Sequence, residues 1–376
     1  MSSARLTVAS LFCGIGGLDL GFEWGGYDVV WANDLVQAAV DSYATNFGRS
    51  AVLGDVTTLC LAEIPDVDVL IGGPPCQSFS LVGRRSPQDD RGQLVYRFLE
   101  AVRVKRPRAF VMENVPGMAA SKVNGRRLTE VLAEEFGMLG YTVTTMKLDA
   151  TNYLVPQRRR RIFIVGVIGA QVAVPDPLTF ARECYDINAS TYDVGAEAAL
   201  GDLGPPVARG HLASYNDSTP SVFAQLMRRE RLPNFTLHEA PQMSETDKLL
   251  LTFIPPGGNY MDVPDEHATQ RILNFKKTGG RTTTYGRLHP ERPSYTVNTY
   301  FRRPNVGSNF HYSEARLITA REAMRLQSLP DHFTTIHTSN DARNTLIGNA
   351  VPPLMGQAVG WAVHKALSQV GVLTTA

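Results

Sequence analysis

The stretch LTVASLFCGIGG (Leu6–Gly17) is where the fold is decided. An apolar, β-type run passes directly into a glycine turn, the corner at which a strand hands over to a helix in a parallel sheet. Outward from there the pattern repeats. Strand-like runs recur at Asp28–Trp31, Val67–Ile71, Arg108–Met112, Tyr141–Leu148 and Ile162–Ile168, and helical patterns fill Leu35–Asn46, Gln93–Val104 and Leu128–Leu139. This alternation predicts an α/β fold built on a doubly wound, mostly parallel sheet. After Val174 the character changes. Pro175 to about Pro290 is rich in Pro, Gly, Thr and Asn with little periodicity, which predicts a smaller, loop-rich domain. Thr345–Leu367, a Gly-Asn turn and a helical pattern, is expected to return to the first domain. The expected division is 1–174, 175–290, a hinge and supporting segment over 291–338, and a C-terminal segment over 339–376.

The 376 residues carry 37 Lys and Arg against 36 Asp and Glu, a net charge of +1. Bulk charge therefore cannot hold a polyanion, and any nucleic-acid binding needs a local basic patch. The four cysteines form neither a CxxC pair nor a disulfide framework, so no metal is expected and a reducing compartment is. No signal peptide is visible at the start, and the longest apolar run, Ile162–Ala170, is too short to span a bilayer. A soluble, cytoplasmic protein with no membrane partner is expected.

In a doubly wound sheet, ligands bind at the carboxyl ends of the strands. Here those ends read Phe12-Cys13-Gly14-Ile15-Gly16-Gly17, Asn33-Asp34, Gly54-Asp55, Gly72-Gly73-Pro74-Pro75-Cys76-Gln77 and Glu113-Asn114-Val115. The glycine turn suggests a nucleotide cofactor. It departs from GxGxxG, since the third glycine falls at Asp19, and by itself it leaves NAD and an adenosyl cofactor open. Asp34 is placed to accept ribose hydroxyls, and Asp55 an adenine amino group. Cys76 follows Gly72-Gly73-Pro74-Pro75, which continues neither strand nor helix, and a thiol on such a turn suits a nucleophile. Glu113, on the same rim, reads equally as a salt-bridge partner or a catalytic group. In Gln157-Arg158-Arg159-Arg160-Arg161, strand geometry puts Gln157, Arg159 and Arg161 on one face and Arg158 and Arg160 on the other.

Taken in order, LFCGIGG (Leu11–Gly17), GGPPCQSFS (Gly72–Ser80), MENVPG (Met112–Gly117), QRRRR (Gln157–Arg161), RPSYTV (Arg292–Val297) and GNAVPP (Gly348–Pro353) closely resemble the C5-cytosine DNA methyltransferases of bacterial restriction-modification systems. The resemblance implies a class I S-adenosylmethionine-dependent methyltransferase fold with a DNA-recognition domain. It implies S-adenosylmethionine as cofactor and double-stranded DNA as partner, with a cognate restriction endonuclease or defence-system proteins as further partners. Cys76 would add to C6 of a flipped-out cytosine, Glu113 would hydrogen-bond the ring, and Arg161, with Arg159 beside it, would contact the base O2. The cofactor would be held by Phe12, Gly14, Gly16, Gly17, Asp34, Leu35, Asp55, Val56, Pro75 and Leu94, with Asn349, Ala350 and Val351 on the methionine side. Two positions depart from the family pattern: Ser10 stands where the first motif begins with an acid, and Leu35 where an aromatic residue covers the adenine.

DNA contacts are expected from Gln77 and Ser80 and from a basic stretch, Arg271–Arg303, with eight Lys or Arg against Glu291. Within it, Arg281 and Arg287 are the candidates for base edges, and Arg302 and Arg303 for phosphates. Three alternatives stand beside this reading. A tRNA methyltransferase of the same fold is disfavoured by the lack of a Cys-Phe-Thr motif. A NAD-dependent oxidoreductase is disfavoured by the broken glycine pattern. A non-catalytic DNA-binding relative is disfavoured by intact Cys76, Glu113 and Arg161.

Overall fold

The computed structural model describes residues 5–75, 93–229, 232–337 and 339–371. Its centre is a seven-stranded sheet of β1 (Thr7–Leu11), β2 (Asp28–Asp34), β3 (Val52–Leu53), β4 (Val69–Gly72), β5 (Ala109–Asn114), β6 (Tyr141–Asp149) and β7 (Arg160–Ile168), in the order β3-β2-β1-β4-β5-β7-β6. The first five strands are mutually parallel, and β7 runs antiparallel to both neighbours. The mostly parallel, doubly wound sheet expected from the alternation is present.

Central strands of such a sheet are covered on both faces and read as continuous apolar runs. β4 (VLIG) and β5 (AFVMEN) are buried at every position. On one face Ala9, Leu11, Leu70, Phe110, Met112 and Ile164 form a core with α3 (Gln93–Lys105) and α4 (Leu128–Met138), where Phe110 stacks on Phe136 with ring centroids 3.9 Å apart. α1 (Gly17–Trp24) and α2 (Gln37–Phe47) flank β1 and β2, and α5 (Pro353–Gln369) lies against α1. That last packing is close because Gly21 has no side chain. A Cβ there would sit 2.4 Å from the Pro353 carbonyl oxygen and 2.7 Å from the Gln357 nitrogen. Gln357 Nε2 donates to Trp24 O at 3.1 Å, and the Tyr27 hydroxyl to Gly360 O at 2.8 Å.

The chain divides into two compact units, one of Met1–Tyr153, Arg160–Asp186 and Pro353–Ala376, the other of Leu154–Arg159 and Ile187–Pro352. Residues 291–352 thus fall in the second unit, and Pro353 begins the return to the first. Among the described residues, the strands of the second unit are two or three residues long. An apolar cluster around Leu250, Ile254, Tyr260, Ile272 and Phe310 holds one part of it. Another is held by charge: fully buried Arg325 donates to Asp202 Oδ1 at 2.6 Å and to Asp331 Oδ1 at 2.9 Å. Cys13, Cys60 and Cys184 are free thiols. Among the described residues no helix is long and apolar enough to cross a membrane, and no His, Cys, Asp and Glu cluster is placed to hold a metal.

Replacing Gly21 by Ala gains about 1 kcal/mol of helix propensity. It forces a methyl into the backbone of α5, an overpacking cost of about 1–3 kcal/mol that neither helix can relax by rotating a side chain. Urea unfolding is expected to show a net loss for Gly21→Ala; an unchanged or raised midpoint would refute this account of the α1–α5 contact.

Candidate active site

Strand register brings the groups together. Leu11 pairs with Gly72 and Asn33, Gly72 with Met112, and Asp34 with Leu53. The carboxyl ends of β1 to β5 therefore share one edge of the sheet. Leaving β1, the backbone takes left-handed conformations at Phe12 (φ 57°), Gly14 (φ 56°) and Gly16 (φ 84°). Gly16 is doubly required, because a Cβ there would also fall 2.1 Å from Phe47 Cε2. Phe12 is not a glycine, and its strain lies at the rim, where such strain collects in functional sites. Asp34 fastens the turn: its Oδ2 accepts from Gly14 N at 2.8 Å and its Oδ1 from Val36 N at 2.9 Å. A carboxylate offers about four acceptor sites, so Asp34 retains lone pairs for ligand hydroxyls. Beside it, Leu35 is 64% exposed.

Asp55 accepts from Thr57 N at 2.8 Å, and that backbone bond holds its carboxyl below the usual range. Val56 is buried, and its carbonyl takes a 2.7 Å bond from Arg97 Nε. Leu94, on the first turn of α3, packs against the core, and Pro75 is exposed.

Asp19 has a role that the sequence reading missed. It is fully buried, accepting from Ser10 Oγ at 2.8 Å and from the Tyr43 hydroxyl at 2.9 Å. Burial pushes its pKa up to about 6, against the two hydroxyl bonds that favour the carboxylate. Ser10, at the position where the family pattern has an acid, is thus the donor to an acid supplied from α1. The signal was present: a charged residue on the apolar face of a helix, nine residues after a strand serine.

At the end of β5, Glu113 Oε1 meets Arg161 Nε at 2.8 Å, with 11% of each side chain exposed. β5 and β7 are antiparallel, and Glu113 lies opposite Phe163. Arg161, two residues away, shares the face with Glu113 as a diagonal neighbour. Burial lowers the Arg161 pKa and the Glu113 charge opposes that shift. The neighbouring Asn114 donates from Nδ2 to Pro74 O at 2.9 Å, tying β5 to the Pro-Pro segment that precedes Cys76. Nothing in the sequence reading gave Asn114 a task. Cys76, Gln77 and Ser80 lie outside the described residues.

The other expected residues divide differently. Arg159 is fully buried in the second unit, with Nη1 on Val297 O at 3.0 Å and Nη2 on Gly348 O at 2.8 Å, while Arg161 belongs to the first. Arg287 also turns inward, donating to His311 O and Ile254 O at 3.0 Å each. Arg281 is exposed, Arg303 is exposed with its guanidinium 4.8 Å from the Tyr300 ring centroid, and Arg302 is half-buried. Asn349 is exposed, while Ala350 and Val351 are buried.

The C-5 cytosine-specific DNA methylase family matches residues 6–365 of this chain. The chain belongs to that family. Among curated relatives, the type II methyltransferase M.NgoFVII of Neisseria gonorrhoeae is 33% identical over 358 residues, covering 94% of this chain and 84% of that protein. The type II methyltransferase M1.HphI of Haemophilus parahaemolyticus is 32% identical over 371 residues, covering 96% and 87%. Among solved structures, a prophage-encoded DNA modification methyltransferase of E. coli superposes with a TM-score of 0.70 at 24% identity, covering 97% of this chain and all of the other. The S. pombe Dnmt2 methyltransferase follows at 0.59 and 18%, covering 97% and 99%. These two structures share the fold.

As a C-5 cytosine-specific DNA methylase, the chain is an enzyme whose cofactor is S-adenosylmethionine. The rim fits that cofactor. A Cβ at Gly14 would meet nothing within 4 Å, so there is open space at the turn, and Asp34 at the end of β2 keeps lone pairs beyond its bonds to Gly14 N and Val36 N.

Two outcomes follow. Asp34→Ala is expected to weaken S-adenosylmethionine binding by about 1.5–3 kcal/mol, the scale of a hydrogen bond to a charged group; calorimetry finding equal affinity would remove Asp34 from the site. Asp19, with its folded pKa raised above the unfolded value of 3.8, binds a proton more tightly in the native state. Its contribution is therefore unfavourable once ionised: stability falls as pH rises from about 4 to 6, by on the order of 3 kcal/mol. Unfolding free energies measured across that window should lose this slope in Asp19→Asn, and an identical slope in both proteins would contradict the assignment.

Proposed function

We propose that this DNA (cytosine-5-)-methyltransferase works through Cys76, Glu113 and Arg161 in its first unit and reads DNA with its second. The observation that carries the reading is the buried Glu113–Arg161 pair at the sheet rim, joined through Asn114 to the segment leading into Cys76. Cytosine C5 is a poor nucleophile until a group adds at C6. The Cys76 thiolate forms a bond to C6, and the ring's electrons move to C5. Glu113 hydrogen-bonds N3 and the exocyclic amine as negative charge builds on the ring, and Arg161 bonds O2. When bound, S-adenosylmethionine would supply the methyl group to C5, its sulfonium–methyl bond breaking to leave the neutral thioether. A base, water at its simplest, then takes the C5 proton; the C–H electrons restore the C5–C6 double bond as the C6–S bond breaks and Cys76 leaves as thiolate. The base is reached by flipping it out of the duplex.

Phe12, Gly14, Gly16, Gly17, Asp34 and Asp55 hold the cofactor in this reading. Arg159 is a positioning residue that fixes the backbone at Val297 and Gly348, close to Asn349. Arg281 is the better candidate for a base edge, since Arg287 spends two donors on its own unit, and Arg303 suits a phosphate. The relatives' names as type II methyltransferases support a cognate restriction endonuclease as a functional partner, and a DNA-associated place in the bacterial cytoplasm.

Duplex carrying 5-fluorocytosine cannot lose its C5 substituent, so with cofactor present the wild-type protein is expected to stay bound to it on a denaturing gel. Cys76→Ser should trap none. Equal trapping by both proteins would exclude Cys76 as the nucleophile.

A further inference from the structure

The second turn of α3 carries Arg97, whose guanidinium is turned toward one neighbouring segment. Nε donates to Val56 O at 2.7 Å and Nη2 to Leu59 O at 2.6 Å, while Nη1 meets Glu100 Oε2 at 2.7 Å. We propose that Arg97 is a positioning residue for the adenine ring: by holding the carbonyls of Val56 and Leu59 it aims the Asp55 carboxylate at the exocyclic amine of the cofactor. This rests on the reading of Asp55 as a cofactor-holding residue and adds the group that fixes its direction.

Residues 55–59 form one closed turn. Asp55 O accepts from Thr58 N at 3.0 Å and from Leu59 N at 2.9 Å, and Asp55 Oδ1 accepts from Thr57 N at 2.8 Å. The carboxylate is therefore fixed within the turn and points wherever the turn as a whole points. On the sheet side the segment is fastened just ahead of Asp55. Gly54 N donates to Asp34 O at 3.0 Å, and Asn33 Nδ2 to Gly54 O at 3.0 Å. Bonds at one end leave a turn able to swing about that end. Val56 packs in the apolar core with Leu61, Val95 and Phe98, but apolar contact is non-directional. Arg97 adds the direction. A planar fork that meets two carbonyls, one near the start of the turn and one at its end, resists rotation where a single contact does not. Both bonds are charge-assisted, and with its side chain 19% exposed Arg97 is partly shielded from water.

The consequence is selectivity at the base. An ionised carboxylate only accepts hydrogen bonds. It bonds the amino group of adenine and repels the oxygen that hypoxanthine carries in the same place. That distinction depends on aim, because hydrogen bonds weaken steeply off axis. In the same reading, Gly14 and Asp34 hold the cofactor from other segments of the chain. Loss of Arg97 is therefore expected to relax the choice of base and to spare the methyl-donating end.

The test uses the full-length protein, with thermal melting to confirm folding and calorimetry against S-adenosylhomocysteine and S-inosylhomocysteine. Arg97→Ala is expected to bind the adenosyl ligand about ten-fold more weakly, the scale of a misdirected hydrogen bond to a charged group. The inosyl ligand should bind nearly as it does to the wild type, so the preference for adenine falls by the same factor. In methylation of duplex DNA the KM for S-adenosylmethionine should rise in step, while kcat at saturating cofactor holds. Arg97→Lys keeps the charge with one point of contact and should retain an intermediate preference. Glu100→Ala removes only an exposed ion-pair partner and should retain the full one. If Arg97→Ala weakens both ligands equally, or neither, Arg97 is a structural staple and the proposal is overturned. Should the Ala variant unfold, the Lys variant decides, and a wild-type preference in it overturns the proposal equally. Asp55→Ala tests the underlying reading separately. It should abolish the preference for adenine, and a preference that survives this change shows that the assignment of Asp55 itself has failed.

Discussion

A carboxylate and a guanidinium, each about nine-tenths buried and 2.8 Å apart, join the ends of two strands that run in opposite directions. Neither Glu113 nor Arg161 could sit there alone, since an uncompensated buried charge costs several kcal/mol. The pair depends on the direction of β7. Its nine residues span about 30 Å. Were it parallel to β5, its first residue would lie at the opposite edge of the sheet from every other group on the rim. One reversed strand thus brings an arginine from the start of a strand to the place where five parallel strands deliver their ends. The neighbouring Asn114 extends the constraint to Pro74.

The glycine turn is held by a comparable economy of groups. Asp34 accepts from Gly14 N and Val36 N, so the carboxylate at the end of β2 also shapes the glycine turn beside it. Below the turn, Ser10 and Tyr43 both donate to Asp19. The buried acid enters from the helix rather than the strand, and the strand serine becomes its donor. Cys13, between these carboxylates and the core, is driven well above its ordinary pKa, by burial first and then by Asp19 and Asp34. It is a packed thiol and not a second nucleophile.

Sheet and rim were legible because their physics is local. Strands buried on both faces are apolar runs, their carboxyl ends are punctuated by glycine, and the period of two along 157–161 correctly separates buried Gln157 and Arg159 from exposed Arg158 and Arg160. What that period does not contain is the partner. It says that Arg159 and Arg161 share a face, and it is silent on what each meets there; the chain passes from one unit to the other between them. The same holds for Arg287, which donates to His311 O and Ile254 O, for a basic residue in a polar loop looks alike in sequence whether it meets DNA or a carbonyl. The second unit was opaque for a different reason. Its core is partly ionic, and Arg325 meets an aspartate 123 residues earlier in the chain, a pairing that no hydrophobic pattern encodes.

Arg159 shows why stretches so distant in sequence occur together. Its two terminal nitrogens reach Val297, 138 residues on, and Gly348, 189 residues on. Gln157 adds a bond to Leu326 O at 3.3 Å and takes one from Val297 N at 3.3 Å. Gln157, Arg159, Val297, Leu326 and Gly348 are therefore packed together in the second unit. Two carbonyls approached from separate chain segments call for a planar, forked donor that stays charged when buried. A lysine would offer one ammonium point where two directions must be met at once. The run of arginines thus combines two demands with a common chemistry: one member pairs with Glu113 at the sheet rim, and its neighbour but one holds the backbone of the segments that carry Val297 and Asn349.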